Sequence, residues 1–483
     1  MADRVKVGII GSGFEADIHA ASMGMVPNEI ELVAVASPTP GHAAALAKRY
    51  NIPRVFTDYR KMLDEKDIEI VTITAPNSLH AQMTFDIAKA GKHVVCEKPL
   101  CMTMDEADEM IEVCRKKGVL LLYAEELFFT PKYVKAKEMA DQGAFGKVYL
   151  VKQSEKHFGP HAEWFWDVRR SGGGVFMDMG CHGIAFCYWF LGRPKIKSIL
   201  CHMATHVHAD KTQGEDDSIC ILEFEGGAVG LIEDSWARRG GMQDRIEVYG
   251  EGGSTVADLH MGNALPTYSE YGYGYAVEKA PSTQGWSWPV FEELWNYGFP
   301  QEMRHFARCV RGKEQPQSTG EDGRVVQEIL FAGYQSAGSG QKVKLPFRPP
   351  AGKLPIEMWK NPIMLSANSH GFLRSRSVIH DGLGTVFPDI RFEESDSDLD
   401  HAGDIDYIGR VGSRAFGIQI KPVTAQASFA NYSPSERMKA NFREFEERYG
   451  GKVFVVFSLD GEIGNPGVID QIREEVLRLA KKG

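Results

Sequence analysis

Apolar residues gather early in the chain into short β-branched runs, and each run is followed by a stretch of helical spacing. Val5–Ile10, Glu31–Ala36, Ile68–Thr74, His93–Cys96 and Val119–Tyr123 read as strands. Helical patterns fall over Phe14–Met25, His42–Tyr50 and a segment near Ser78–Ala90. A further helix opens on a capping box, Thr103 with Glu106, and stops at Gly118, a suitable left-handed closing residue. Regular strand–helix alternation predicts an α/β Rossmann-type domain, a doubly wound parallel sheet, over residues 1–124.

From residue 125 the pattern changes. Thr130–Pro131 opens a helix that ends near Gly143, and Lys147–Lys156 alternates like a strand. Gly172-Gly173-Gly174 leads into an apolar helix over Val175–Leu191. Ser218–Phe224 and Val229–Ser235, joined at Gly226-Gly227, predict an antiparallel hairpin. Helices return at Gln301–Val310 and Val325–Ser336. Residues 125–345 are therefore expected to form an α+β domain with an open antiparallel sheet. Pro346, Pro349 and Pro350 mark 346–360 as a linker. Residues 361–483 read as a separate α/β domain, with strand-like Ala415–Ile420 and Val453–Phe457 and helical Ser435–Tyr449 and Val468–Lys481.

Composition changes this picture little. Of 483 residues, 43% are hydrophobic and 25% charged, ordinary for a globular chain. No apolar run is long enough to cross a bilayer, and Met1–Gly13 runs straight into a strand, so no membrane partner and a cytoplasmic location are expected. The net charge of −10 argues against non-specific nucleic-acid binding. None of the eight cysteines forms a Cys-x-x-Cys pair, which leaves reduced, mostly buried thiols as the expectation.

The chemistry begins at Gly11-Ser12-Gly13-Phe14-Glu15-Ala16, a G-x-G-x-x-A turn between a strand and a helix. Such glycines let backbone N–H groups approach a pyrophosphate at a helix N-terminus, so Gly11, Gly13 and Phe14 are expected to bind a dinucleotide. The second strand ends on Ser37-Pro38-Thr39-Pro40, without the acidic residue that usually meets a ribose 2′-hydroxyl. Ser37 is assigned to the cofactor site, and NAD or NADP is permitted. Thr74, Pro76, Asn77 and His80 end one parallel strand, and Glu97-Lys98-Pro99 ends the next, at the sheet edge where ligands bind.

With Glu97-Lys98-Pro99 and the later run Gly172-Gly173-Gly174-Val175-Phe176-Met177-Asp178-Met179-Gly180-Cys181-His182, the chain resembles the Gfo/Idh/MocA oxidoreductases from about Val5 to Leu345. The resemblance implies an NAD(P)-dependent enzyme oxidising or reducing a sugar or polyol hydroxyl carbon. It also implies Lys98, Asp178 and His182 as catalytic residues, Glu97 beside the cofactor, and a dimer or tetramer. Asp178 and His182 are i and i+4, a spacing that puts both on one face of an α-helix. An imidazole suits removal of the hydroxyl proton while hydride leaves. Lys98 could hydrogen-bond the same oxygen, or act as base if burial lowers its pKa. Hydride transfer to nicotinamide needs no metal, and none is expected in this part. Some relatives couple transient oxidation to glycoside cleavage, an alternative reaction on the same scaffold.

His157, Trp166 and Arg169 lie between the two motifs and are candidate substrate contacts, through imidazole, aromatic face and guanidinium. In the last segment, Asp406 on a strand over Asp404–Gly409, followed by Gln419-Ile420-Lys421, is similar to PD-(D/E)xK nucleases and more narrowly to MjaI-type restriction endonucleases. That resemblance implies Mg²⁺ at Asp406 and Gln419, a water-positioning Lys421, a possible further carboxylate at Glu393, and nucleic acid as partner. Gln419 replaces the usual carboxylate. Ile356–Gly483 carries 16 Lys/Arg against 19 Asp/Glu, a net of −3, which does not favour DNA. A scaffold or interaction module is an equal expectation.

Overall fold

A computed structural model of the chain describes residues 4–274, 282–363, 378–395, 405–423, 432–459 and 462–481. It separates into two compact units, Met1–Ile363 and Met364–Gly483. Among the described residues no helix is long and apolar enough to cross a membrane.

The first unit opens with six parallel strands: β1 (Val5–Ile10), β2 (Ile30–Ala36), β3 (Arg54–Phe56), β4 (Ile70–Ile73), β5 (His93–Glu97) and β6 (Leu121–Ala124). Their order is β3-β2-β1-β4-β5-β6, so the chain reverses direction across the sheet between β1 and β4. In such a sheet the crevice at that switch point takes the ligand. The strands are almost wholly apolar, and Ile10, Ala34, Val71, Ile73, Val94 and Cys96 share one buried core with helix residues such as Ile87 and Met110. The capping box at Thr103 and Glu106 forms as expected, and Gly118 closes the helix at φ 66°. Strand β3 escaped the sequence reading, being three residues long with Val55 exposed.

The next strands build a seven-stranded sheet: β7 (Val148–Lys156), β8 (Ile196–Ala204), β9 (Asp217–Phe224), β10 (Val229–Ser235), β11 (Gln243–Gly250) and β12 (Gly253–Asp258), with β13 (Thr267–Ser269) and β14 (Gly285–Ser287) as a separate pair and β15 (Val343–Lys344) at the edge. The expected β9–β10 hairpin is present, turning at Gly226 and Gly227, both with φ near 90°. The sheet is mixed rather than wholly antiparallel, because β7 and β10 run parallel. Cys201 and Cys220 face each other across β8 and β9 and are bonded as a disulfide, where reduced thiols were expected.

The segment read as a linker is packed. Pro355–Lys360 is a helix with Ile356 and Met358 buried. Its backbone carbonyls crowd Gly338 so closely that a Cβ there would lie 2.6 Å from the oxygens of Met358 and Trp359. Ile356 N–H donates to the Gly172 carbonyl at 3.0 Å, and Gln335 exchanges two hydrogen bonds with the Ile363 backbone at 2.7 and 2.9 Å.

The second unit has five strands in the order β16 (Arg391–Glu394), β17 (Tyr407–Val411), β18 (Arg414–Val423), β19 (Gly450–Leu459) and β20 (Glu462–Ile463), with β18 and β19 parallel. Among the described residues it also holds the helical turns Val378–Leu383 and Gly384–Val386 and the helices Glu436–Tyr449 and Gly467–Lys481, the first of these two capped by the Ser435 side chain. Phe416, Ile418, Val456, Ile472 and Leu479 form its core.

Candidate active site

A cleft of about 200 Å³ opens at the carboxyl ends of the parallel strands. Glycine geometry shapes its cofactor side. Gly11 has φ +124°, and a Cβ there would lie 2.4 Å from the Thr74 carbonyl oxygen, so no other residue fits the turn. Gly13 caps the helix Phe14–Gly24 without any side-chain hydrogen bond, and a Cβ on it would meet nothing within 4 Å. Uncapped N–H groups beside open space suit a pyrophosphate, so the residues present fit a dinucleotide. Ser37 is buried and accepts a hydrogen bond from Ser12 Oγ at 2.8 Å.

Three other expected cofactor residues make hydrogen bonds within the fold. Asn77 Nδ2 donates to the Ser171 carbonyl at 2.8 Å, tying the β4 edge to the start of the Gly-rich turn. His80 is fully buried between the Pro99 and Ala75 carbonyls, at 3.0 and 2.9 Å. Thr74 Oγ1 donates to the Ile10 carbonyl. Glu97 does line the cleft, with Oε1 2.7 Å from His19 Nε2.

Lys98, Asp178 and His182 come together at the cleft. Lys98 Nζ donates to Asp178 Oδ1 at 3.1 Å and to the Asp178 carbonyl at 2.9 Å. Trp236 Nε1 donates to Asp178 Oδ2 at 3.3 Å, so both carboxylate oxygens are held. Burial works against the Lys98 ammonium, yet Asp178 and the neighbouring acids raise its pKa well above the ordinary lysine value. This electrostatic setting favours Lys98 as a cation over a deprotonated base. Asp178 also resists burial, and Lys98 keeps it below its usual range.

His182 Nδ1 lies 2.7 Å from Glu125 Oε1, and Nε2 lies 3.8 Å from Glu126 Oε1. Burial lowers the imidazole to about 4 and pushes Glu125 up. Burial also raises Glu126, to about 7. The continuous α-helix expected over Val175–Leu191 is in fact a π-helical turn, Phe176–Gly180, running into an α-helix, Cys181–Phe190. The turn is launched from a rigid seat. Glu215 Oε1 accepts hydrogen bonds from Gly174 N (3.1 Å), Phe176 N (2.9 Å) and Tyr334 Oη (2.7 Å).

Of the expected substrate contacts, only His157 lines the cleft. Trp166 packs against His208 and Trp236 instead. Arg169 is 85% exposed at its side chain and pairs with Asp167 at 3.1 Å, where Asp167 caps its own short helix. The structure adds His161, stacked on Phe14 at 4.3 Å, together with Glu15, Glu126, Glu155, Met242, Glu293 and Tyr297. Two of these were accessible to sequence reasoning. Val151, Gln153 and Glu155 share the inward parity of β7, and an acid at inward parity is a signal. Glu126 follows β6 directly, at the ligand edge of the sheet.

In the second unit, Asp406 Oδ2 accepts hydrogen bonds from Gln419 Nε2 at 2.7 Å and Ile420 N at 2.5 Å. Glu393 pairs with Arg391 and Arg410 at 3.1 and 2.8 Å. Lys421 lies on β18, two residues beyond Gln419.

Comparison with known proteins follows the same division. Residues 5–125 match the model of an oxidoreductase family with an NAD-binding Rossmann fold, and residues 137–345 match that family's C-terminal α/β domain. Residues 354–469 match the MjaI restriction endonuclease model. The chain is similar to myo-inositol 2-dehydrogenase of Thermotoga maritima (25% identical over 348 residues, 71% of this chain and 98% of that one). It is also similar to D-glucoside 3-dehydrogenase of Escherichia coli (27% over 358 residues, 71% and 97%). Among solved structures it resembles GenD2 from gentamicin A biosynthesis in complex with NAD, at 30% identity and a TM-score of 0.68 over 72% of this chain and 98% of that one. Motif, topology and likeness thus agree along residues 5–345: the chain belongs to the Gfo/Idh/MocA family of NAD(P)-dependent oxidoreductases.

Proposed function

We propose that the first unit oxidises, or in reverse forms, a secondary hydroxyl of a sugar or cyclitol. The observation that carries this reading is the meeting of Lys98, Asp178 and His182 in one cleft beside the glycine turn. Bound nicotinamide supplies the hydride acceptor. The neutral imidazole of His182 takes the hydroxyl proton at Nε2, and Glu125 at Nδ1 stabilises the imidazolium that results. Lys98 places a permanent positive charge where the substrate oxygen becomes negative. Asp178, fixed by Lys98 and Trp236, orients a substrate hydroxyl. Ring faces at His157 and His161 suit the C–H surface of a pyranose or inositol. The relatives named above, an inositol and a glucoside dehydrogenase, support this substrate class. NADH formation from a panel of inositols and glycosides tests the reading, which fails if no member is oxidised by wild type or if His182→Ala retains full turnover. Self-association is assigned to the open face of β8 and β9, where Leu200, Ile219 and Ile221 stand exposed; a monomer by light scattering would reject it.

For the second unit we favour an interaction module over a working nuclease. Gln419 stands where a second metal-binding carboxylate belongs and spends its amide N–H on Asp406. Plasmid cleavage by the full chain with Mg²⁺, lost in Lys421→Ala, would establish the opposite.

A further inference from the structure

The cleft is strongly acidic for a site that needs only one carboxylate to orient a hydroxyl. Six carboxyl groups line it, Glu15, Glu97, Glu126, Glu155, Asp178 and Glu293, against a single lysine. Two of them belong to the cofactor side: Glu15 is on the first turn of the helix after the glycines, and Glu97 ends β5 and is matched by His19. Lys98 is matched by Asp178. Glu155 has no such partner. Its residue is 7% exposed, it faces the cleft from β7, and among the described residues no hydrogen bond or ion pair reaches its carboxylate. Burying a carboxyl group without a partner is costly, and a ligand that supplies the partner recovers that cost.

We propose that the substrate carries a protonated amine, held by Glu155 with Glu126, so that the enzyme acts on an amino sugar or aminocyclitol rather than a neutral one. This rests on the dehydrogenase reading above and sharpens it. The arrangement favours an ammonium over a metal ion. Among the described residues the groups whose ligand atoms converge are Glu15–His19–Glu97 and Glu125–Glu126–His182, and Glu155 is in neither. A point ion needs converging ligands, whereas an extended polyol can present a hydroxyl to His182 and an ammonium to Glu155 at once. Lys98 in the same cleft repels a divalent ion about twice as strongly as a monovalent ammonium at the same distance. Burial and Asp244 push Glu155 up, and burial pushes Glu126 up to about 7, and an ammonium between them would favour their charged forms.

The test uses matched trios: D-glucosamine, its 3-amino and 6-amino positional isomers, and scyllo-inosamine, each beside its N-acetyl derivative and its hydroxyl parent. Binding to the NAD⁺-loaded full chain is read by thermal shift and turnover by NADH absorbance. The proposal expects at least one free amine to raise Tm, less so at high salt, with at least tenfold higher affinity or kcat/KM than both neutral counterparts. Glu155→Gln, a near-isosteric change, should erase that preference. Amine binding that is lost in Glu155→Gln, without turnover, upholds the ammonium site and counts against the hydroxyl oxidation proposed above. Turnover of neutral parents with no amine preference does the reverse. The proposal is also overturned if no amine binds, if Glu155→Gln keeps the preference, or if the purified enzyme holds a stoichiometric metal whose removal abolishes activity.

Discussion

Lys98→Met removes the fixed cation and keeps the volume of the side chain. Lys98 and Asp178 are 14% and 6% exposed at their side chains, so their 3.1 Å contact is largely shielded from water. Breaking one side of a buried pair costs about 3–5 kcal/mol, because the other charge is left uncompensated. Loss of one electrostatic donor at a developing oxyanion costs about 10²–10³ in rate. Taken together, kcat/KM should fall by roughly two to three orders of magnitude, about 3–4 kcal/mol. The cofactor turn at Gly11 does not depend on Lys98, so NAD⁺ affinity by calorimetry should stay within about threefold. Asp178 is held below its usual range by this lysine, so its contribution to stability is present above pH 3.8 and is lost as pH falls through the lower folded value. The variant should therefore be less stable than wild type at pH 7, with the deficit shrinking on acidification. A folded Lys98→Met protein whose kcat/KM drops less than about fivefold would refute the electrostatic role.

Further outcomes follow from the same geometry. Gly11→Ala forces a Cβ to 2.4 Å from a carbonyl oxygen at a positive φ, and should abolish measurable NAD⁺ binding. Glu126, facing His182, Glu125, Lys98 and Glu97, titrates at about 7 against an ordinary 4.5, so folding stability declines as pH rises between these values. Glu126→Gln should raise Tm relative to wild type at pH 8, by up to about 3 kcal/mol of stability, and leave it nearly unchanged at pH 4; an equal difference at both pH values would contradict the burial argument. Arg169→Ala, at an exposed pair, should leave kcat/KM within about twofold. Glu215→Gln, tested by the split between kcat and KM, should lower kcat by weakening the seat of the π-helical turn while NAD⁺ binding persists.

Much of the scaffold was legible because local chemistry and global fold agree. Thr103 with Glu106, Gly118, and the Gly226-Gly227 turn each satisfy backbone groups that any helix end or hairpin must satisfy. The central strands announce themselves by continuous apolar runs, but β3, three residues at the sheet edge, buries too little to leave a pattern. Lys98, Asp178 and His182 were legible as motif residues, yet their geometry was not. The shared face was argued from α-helical spacing, and the structure supplies a π turn instead. Asn77 and His80 are polar residues at the ligand edge that the fold spends on its own carbonyls. Trp166 and Arg169 lie in the correct stretch of sequence, but one side chain turns into the Trp236 cluster and the other to solvent. Nothing local distinguishes such polar residues from ligands, because the distinction lies in partners distant along the chain. The same holds for Glu215, whose three bonds reach residues 39 to 119 positions away.

The helix Pro355–Lys360 lies beyond the last residue of the matched oxidoreductase domain, yet it grips Gly172, the first residue of the turn that leads to Asp178. Trimming the protein at 345 would thus unclamp the catalytic turn from behind and uncover Gly338, against which the Met358 and Trp359 carbonyls pack. The natural place to sever the two units is after Ile363, because the residues just before it are part of the enzyme's own packing.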